Sequence, residues 1–334
     1  MNNEFGHSLR MTIFGASHDS SVGIDIEGIP AGIALPTELF ETDLNRRRPS
    51  LRGETSRHES DTPHIEGLGE GNRTTGAPIR ITFRNDNRRS NDYSHLVAHP
   101  RPSHADLTQR RKYGEEYNIA GGGMASGRMT VALVAAGVVA KQIVHMAKFS
   151  SRLIEVGGCS DESHFEDIIA SAQRDGNSVG GVVECRATGI PHSLGEPFFD
   201  SAESIIAHLL FSIPGIKGIE FGDGFAGARK RGSERNDVIV DAEGHTYSNN
   251  EGGINGGITN GNEIIVRVAI KPTPSISREQ HTYNFEQGRV APLTIGGRHD
   301  ACIARRATVV VEAMVAFALA DLMLRVDTTL DSRG

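Results

Sequence analysis

Residues 11–33, MTIFGASHDSSVGIDIEGIPAGI, alternate apolar and polar side chains around glycines. A period of two sends successive side chains to opposite faces of a strand, so this stretch predicts a β-hairpin, with GIPAG as a further turn. PTELFETDLNRRRP follows, with acidic residues early and arginines late. That charge order suits a helix dipole, with Thr37 as N-cap and Pro49 as the stop. Residues 51–67 are polar and read as loop, and APIRITFRN returns to strand alternation. From Asp86 to Gly123 the chain is polar and rich in Arg, His, Asn and Tyr. A loop of that length is functional or only partly irregular. Residues 121–147 read as a glycine-rich loop feeding a helix that is apolar nearly all round and therefore central.

The second half continues in the same manner. SRLIEVGG, DESHFEDIIASAQRDG and GGVVECRATGIP read as strand, helix, strand. DSAESIIAHLLFSIPG reads as a helix and IKGIEFGDG as a strand. The glycine-rich EGGINGGITNGN precedes the strand EIIVRVAI, and residues 298–324 form a loop and another largely buried helix. Regular βαβ alternation is missing, so the class is α+β and not a doubly wound sheet. Two polar stretches each lead into an apolar helix, one in each half. They hint at an internal duplication, although the similarity between them is too weak to establish one.

Composition narrows the function. At 334 residues the chain has room for one large or two ordinary domains. Its formal net charge of −7 argues against a general nucleic-acid binder, so any basic feature is a local concentration. The three cysteines are far apart, with no C-x-x-C pair. Neither a disulfide framework nor a zinc knuckle is expected, no metal site is expected, and a reducing cytoplasmic setting is the default. The N-terminus has no apolar signal core. The longest apolar run, residues 131–140, is too short to span a bilayer, so no membrane partner is expected.

Six clusters can carry chemistry. Ser17, His18 and Asp19 are the residue types of a hydrolase triad, but adjacent residues cannot easily converge as a triad must. RRRPSLR supplies Arg47 and Arg52, suited to phosphate or carboxylate; alone it reads more readily as a solvated helix end. HPRPSHADLTQRRKYG stiffens the chain around Arg101 and His104. GGGMASGR exposes backbone N–H groups before a helix, with Ser126 and Arg128 at hand, and it is neither a Walker A loop nor a dinucleotide fingerprint. GGRHDACIARR places Arg298, His299 and Asp300 before the last helix, where Asp300 is either a base or a helix-start carboxylate. EGGINGGITNGN with KPTPSIS is either a set of hairpin turns or a close approach to a flat ring. Together these imply a small-molecule site for a ligand with several negative groups.

The ordered motifs GASHDSSVG, DLNRRRP, RPSHADLTQRRKYG, GGGMASGRMT, GIPHSLGEPFFD, SIPGIKGIEFGDGF, GGINGGITNG, KPTPSI and GRHDAC resemble the chorismate synthase family from Phe5 to Leu324. The resemblance implies a single domain over residues 1–334, folded as a β-α-β sandwich with helices packed between antiparallel sheets. It implies a lyase of the shikimate pathway that eliminates phosphate 1,4-anti from 5-enolpyruvylshikimate 3-phosphate to give chorismate. Reduced FMN would be required without net redox change, with NADPH only as a flavin reductant. A homotetramer is also implied, with no nucleic-acid partner.

By the same resemblance His18, His104 and Asp300 are catalytic: His18 at the leaving phosphate, His104 and Asp300 controlling flavin protonation. Ser17, Arg47, Arg52, Arg101, Ser126, Arg128 and Arg298 match substrate-holding positions. Met124, Ala125, Ser126, Pro214, Gly215, Gly256, Lys271, Pro272, Thr273, Pro274, Ser275 and Arg298 match flavin-contacting positions. The chain departs from the family pattern at Ala16 and Asp19 (usually Glu and Gly), at Met124 and Ala125 (usually Arg and Ser) and at Ser103 (usually Gly). Those departures keep open a flavin- or anion-binding homologue that has lost catalysis.

Overall fold

The computed structural model describes residues 3–50, 53–55, 60–86, 96–297 and 299–331. The first half builds an antiparallel sheet from β1 (Glu4–Phe5), β2 (Arg10–Gly15), β3 (Ser21–Glu27), β4 (His64–Glu66) and β5 (Ile79–Arg84), in the order β1-β2-β3-β5-β4. The expected hairpin is β2–β3, with Ile13 opposite Ile24, and Ile24 in turn opposite Ile81. Between β3 and β4 runs helix α1 (Glu38–Arg47). Thr37 occupies the position before α1 but has helical backbone angles and its side chain caps nothing. The helix start instead rests on backbone bonds from Leu39 and Phe40 to the carbonyls of Pro36 and Thr37, with Glu38 and Glu41 complementing the dipole.

The long polar stretch after β5 contains a short helix, α2 (Asp106–Tyr113), and then tight turns that lead into α3 (Thr130–Ile143). A second antiparallel sheet follows, built from β6 (Lys148–Val156), β7 (Gly181–Thr188), β8 (Ile216–Phe221) and a later strand. Helices α4 (Phe165–Arg174) and α5 (Ala202–Ser212) connect these strands. The one-turn helices α6 (Gly224–Gly227) and α7 (Gly232–Arg235) and the hairpin β9 (Ile254–Asn255)–β10 (Ile258–Thr259) then lead to β11 (Ile264–Ile270). This strand sits between β7 and β8, where Val268 faces Val183 and Ile219, and the sheet order is β6-β7-β11-β8. A hairpin, β12 (Gln280–Asn284)–β13 (Arg289–Leu293), precedes the long helix α8 (Ile303–Asp331).

Helix α3 packs on β3 and β5 of the first sheet, and α8 packs on β6 and β7 of the second. The two helices also lie against each other, so one continuous apolar core runs from sheet to sheet through the helix layer. The all-round apolar character of α3 follows from this position, since every face is covered. At Gly137 an added β-carbon would lie 2.2 Å from that of Ala313, so a glycine is needed where α3 meets α8.

Helix α8 is also long and apolar enough to cross a membrane by length and composition, yet most of it is buried inside the protein. Two buried carboxylates punctuate it. Glu312 accepts from Arg46, Lys141 and Ser151, whereas Asp321 accepts from the backbone N–H groups of His7, Ser8 and Leu9 and from Arg325. Charge that would have interrupted an apolar run in the sequence is thus fully partnered in the fold.

Candidate active site

The three arginines at the end of α1 diverge. Arg46 turns into the helix layer and pairs with Glu312 through both nitrogens at 2.8 and 2.9 Å. Arg48 stays at the surface, bonded to Asn45 and the Ser60 carbonyl. Only Arg47 enters a cavity: it is 4 % exposed and donates to Asp61 at 2.5 Å. Its own carbonyl accepts from Arg306 Nε of α8 at 2.9 Å, which fixes where α1 ends.

The cavity holds about 410 Å³ and lies where α1, α3, α8 and the loops before α2 and after β11 meet. Five cations line it (Arg47, Arg101, Arg128, Lys271 and Arg306) against two carboxylates, Asp61 and Asp300. The opposite wall is apolar, from Ile213, Pro214, Ile303, Ala307 and Val310. The excess of cations selects an anionic ligand, and the apolar wall selects one with a hydrocarbon or ring face.

Asp61 bridges Arg47 and Arg128. Burial alone would raise its pKa, but the two guanidinium groups outweigh it and hold the carboxyl below its ordinary range. Burial pushes Arg47 down to about 10, and neighbouring Arg306 and Arg128 oppose the relief that Asp61 gives. Arg128 also donates to Asn85 Oδ1 at 2.8 Å and to the Arg84 carbonyl at 3.1 Å. Ser126 Oγ accepts from the backbone N–H of Arg128 at 3.3 Å and so caps the turn before α3.

The loop before α2 carries a second arrangement. Asp106, wholly buried, accepts from Arg101 at 2.7 and 2.8 Å, and His104 Nδ1 lies 2.7 Å from the same carboxylate, off the line of an ideal hydrogen bond. Burial would raise the Asp106 pKa; Arg101 and His104 instead hold it far below the ordinary carboxylate range. An ionised Asp106 favours the tautomer with the proton on His104 Nδ1, and Nε2 lies on the side of Gly122. Arg101 further donates to Ser275 Oγ at 2.9 Å, and Lys271 Nζ donates to the Ser103 carbonyl at 2.7 Å. The KPTPS segment after β11 is thereby clamped to this loop. Ser103 has φ +57°, a left-handed conformation that glycine adopts without strain. The usual glycine of the family motif and this backbone therefore agree, and the serine carries the strain.

Gly121 and Gly122 sit between the two histidines. A β-carbon on Gly121 would lie 2.6 Å from the His18 ring and 2.7 Å from Ser17 Oγ, and one on Gly122 would lie 3.3 Å from the His104 ring. The backbone N–H of Ser17 donates to the Gly123 carbonyl at 3.2 Å, tying the GASHD turn to the glycine run. Asp19 is exposed and its backbone, not its carboxylate, holds the turn: its N–H donates to Ala16 and its carbonyl accepts from Asn85. On α8's side, Asp300 accepts from the Thr55 N–H at 2.9 Å and from Arg306 at 3.0 Å.

Of the residues singled out in the sequence, Arg47, Arg101, His104, Ala125, Ser126, Arg128, Pro214, Gly215, Lys271, Thr273, Pro274, Ser275 and Asp300 line this cavity. Ser17 and His18 stand behind Gly121, outside its lining. Met124 lines a neighbouring cavity of about 360 Å³ that shares Ala125, Thr130 and Pro214 with the first. Gly256, in the β9–β10 turn, and Pro272 are not among the lining residues. Arg52 and Arg298 lie outside the described residues. Sequence reasoning missed Asp61, Thr55 and Arg306, and gave His299 no role. Only Arg306 had a signal, the paired arginines of CIARR; Asp61 and Thr55 are isolated polar residues in a polar loop.

Five cations, two histidines and two carboxylates around one partly apolar cavity, set in a sandwich of two antiparallel sheets, define an enzyme acting on a small polyanion. Comparison with known proteins gives the particular family. The family model described as "Chorismate synthase" matches residues 9–324. The chain is 53 % identical to a chorismate synthase of Chitinophaga pinensis, covering 96 % of both chains, and 43 % identical to one of Archaeoglobus fulgidus, covering 96 % of this chain and 97 % of that one. A solved structure titled "Crystal Structure of Chorismate Synthase" superposes with a TM-score of 0.73 at 29 % identity, over 96 % of this chain and 93 % of the other. The chain belongs to the chorismate synthase family.

Proposed function

We propose that this cavity carries out the family's reaction, the 1,4-anti elimination of phosphate from 5-enolpyruvylshikimate 3-phosphate to chorismate, with residues 1–334 acting as one domain. The observation that carries the reading is the lining itself: a phosphate and two carboxylates match five cations, and a carbocyclic ring matches the apolar wall. Arg47, Arg101 and Arg128 hold the anionic groups by paired N–H donors, with Arg52 and Arg298 assigned to the same task from the motif. From the motif, His18, which lies just behind the lining residue Gly121, gives a proton to the leaving phosphate, and Ser17 orients it.

The lining also fits a flavin. Thr273 Oγ1, Arg47 Nε and His299 Nε2 are buried with no hydrogen-bond partner among the described residues, in a cavity that has an apolar wall for a ring. Ala125, Ser126, Pro214, Gly215 and the segment Lys271–Ser275 would hold reduced FMN, with Met124, Gly256 and Arg298, which are not among the lining residues, assigned to it from the motif. When bound, the reduced flavin supplies transient electron density that eases loss of phosphate. His104, oriented by Asp106, would keep the bound flavin in its required protonation state, and Asp300, oriented by Thr55 and Arg306, would take the proton from its N5. The working unit is a homotetramer in the cytoplasm.

Purified protein incubated without oxygen with 5-enolpyruvylshikimate 3-phosphate and reduced FMN releases chorismate and phosphate in equal amounts. Folded protein that binds FMN but releases neither product would overturn this reading in favour of a homologue without turnover.

A further inference from the structure

We propose that Asn85 is a positioning residue that braces the Ser17–His18 turn and couples it to Arg128. The inference rests on the reading that His18 and Arg128 act on the substrate. Asn85 directly follows β5 and is 3 % exposed. Its side-chain nitrogen donates to the Asp19 carbonyl at 2.9 Å and lies 3.3 and 3.4 Å from the carbonyls of Ala16 and Ser17. Its backbone N–H donates to the Ser20 carbonyl at 3.0 Å. Its side-chain oxygen accepts from Arg128 Nε at 2.8 Å.

A carboxamide carries two donors and one acceptor in a single rigid plane. Three carbonyls of one turn converge on the donor end, while the acceptor end holds a guanidinium that lines the cavity. The turn is thus gripped from its carbonyl side by Asn85. On the other side Ser17 Oγ and the His18 ring lie against Gly121. No other residue type supplies this pattern at this size: Asp lacks the donors, and Leu lacks both donors and acceptor. The two ends are not equally dependent on it. Arg128 also holds Asp61 and the Arg84 carbonyl, so its position survives loss of Asn85 better than the turn does.

The test is Asn85→Leu, which keeps the branched heavy-atom shape and removes the side-chain hydrogen bonds, alongside His18→Ala. Substrate affinity is read by calorimetry without flavin, and kcat and KM with it. The expected result is a kcat lower by about 10- to 100-fold, the scale of a small misplacement of a reacting group, with calorimetric affinity close to that of the unaltered protein. An unchanged kcat beside an impaired His18→Ala protein overturns the positioning role and leaves the site reading standing. A loss of affinity as large as the loss of kcat also overturns it, because Asn85 would then act through Arg128. Normal turnover by His18→Ala sinks the site reading and this proposal with it. If Asn85→Leu does not fold, Asn85→Ser, which keeps one donor, must retain more turnover than Asn85→Ala; equal rates overturn the proposal.

Discussion

Gly121 shows how one absent side chain arranges a site. Its φ of +61° is unfavourable for other residues, and the space a β-carbon needs is taken by His18 and Ser17. Gly121→Ala is expected to leave the fold intact and to cut kcat by about 10- to 100-fold through displacement of the His18 ring; stopped-flow turnover together with a near-native circular dichroism spectrum checks this. Arg47 predicts a different signature. Its removal deletes an anion partner but also leaves Asp61 with Arg128 alone, so Arg47→Ala should raise KM more than it lowers kcat, and added inorganic phosphate should inhibit it less strongly than the unaltered protein.

At the scale of elements, the helix layer depends on two contacts of opposite kind. The first is steric. Gly137→Ala should lower stability by about 1–3 kcal/mol from overpacking against Ala313, even though alanine favours helix by about 1 kcal/mol; urea denaturation measures the balance. The second is electrostatic. Burial would raise the pKa of Glu312, but bonds from Arg46 and Lys141 lower it from 4.5 to about 2. A depressed carboxyl pKa stabilises the fold above the unfolded value, and that contribution is lost as pH falls from about 4.5 towards 2. Glu312→Gln should therefore lose about 3 kcal/mol near neutral pH, and its deficit should shrink below pH about 4.5, as denaturation at two pH values will reveal.

Most elements were legible in the sequence because their periods are strong. The β2–β3 hairpin, α3, β11 and the final helix all declare themselves by alternation or by uninterrupted apolar residues. Helix α2 was not legible, since its eight residues are almost wholly polar and only Asp106 is buried. Nor were β4 and the β12–β13 hairpin, which are short and largely exposed. Site residues divide in the same way. Clustered ones such as Arg47 and His104 stand out, whereas Asp61 and Asn85 gain meaning only when distant segments meet.

The whole molecule sets a net negative charge against one cation-rich cavity. A net charge of −7 with five cations gathered in one cavity means that the field favouring an anion is local. Large apolar side chains also remain on the surface, with Phe198, Phe199 and Tyr247 about nine-tenths exposed and Phe225 about three-quarters. Exposed aromatics of this kind suit burial between copies of the chain. Sedimentation equilibrium is expected to give a mass of four chains; a monomer at micromolar concentration would count against the tetramer.

Asp321 has a consequence for how this protein is made. Its carboxylate collects the N–H groups of residues 7–9, more than three hundred positions earlier in the chain, and α8 supplies the surface that α3 leaves uncovered. A nascent chain can pair β2 with β3 early, but it cannot close its core until α8 has been synthesised. Pairing across such separations is slow, and until it happens the apolar face of α3 is open to solvent. The core thus closes only once α8 has emerged and found residues 7–9, so this step waits for that helix whatever the speed of the earlier hairpins.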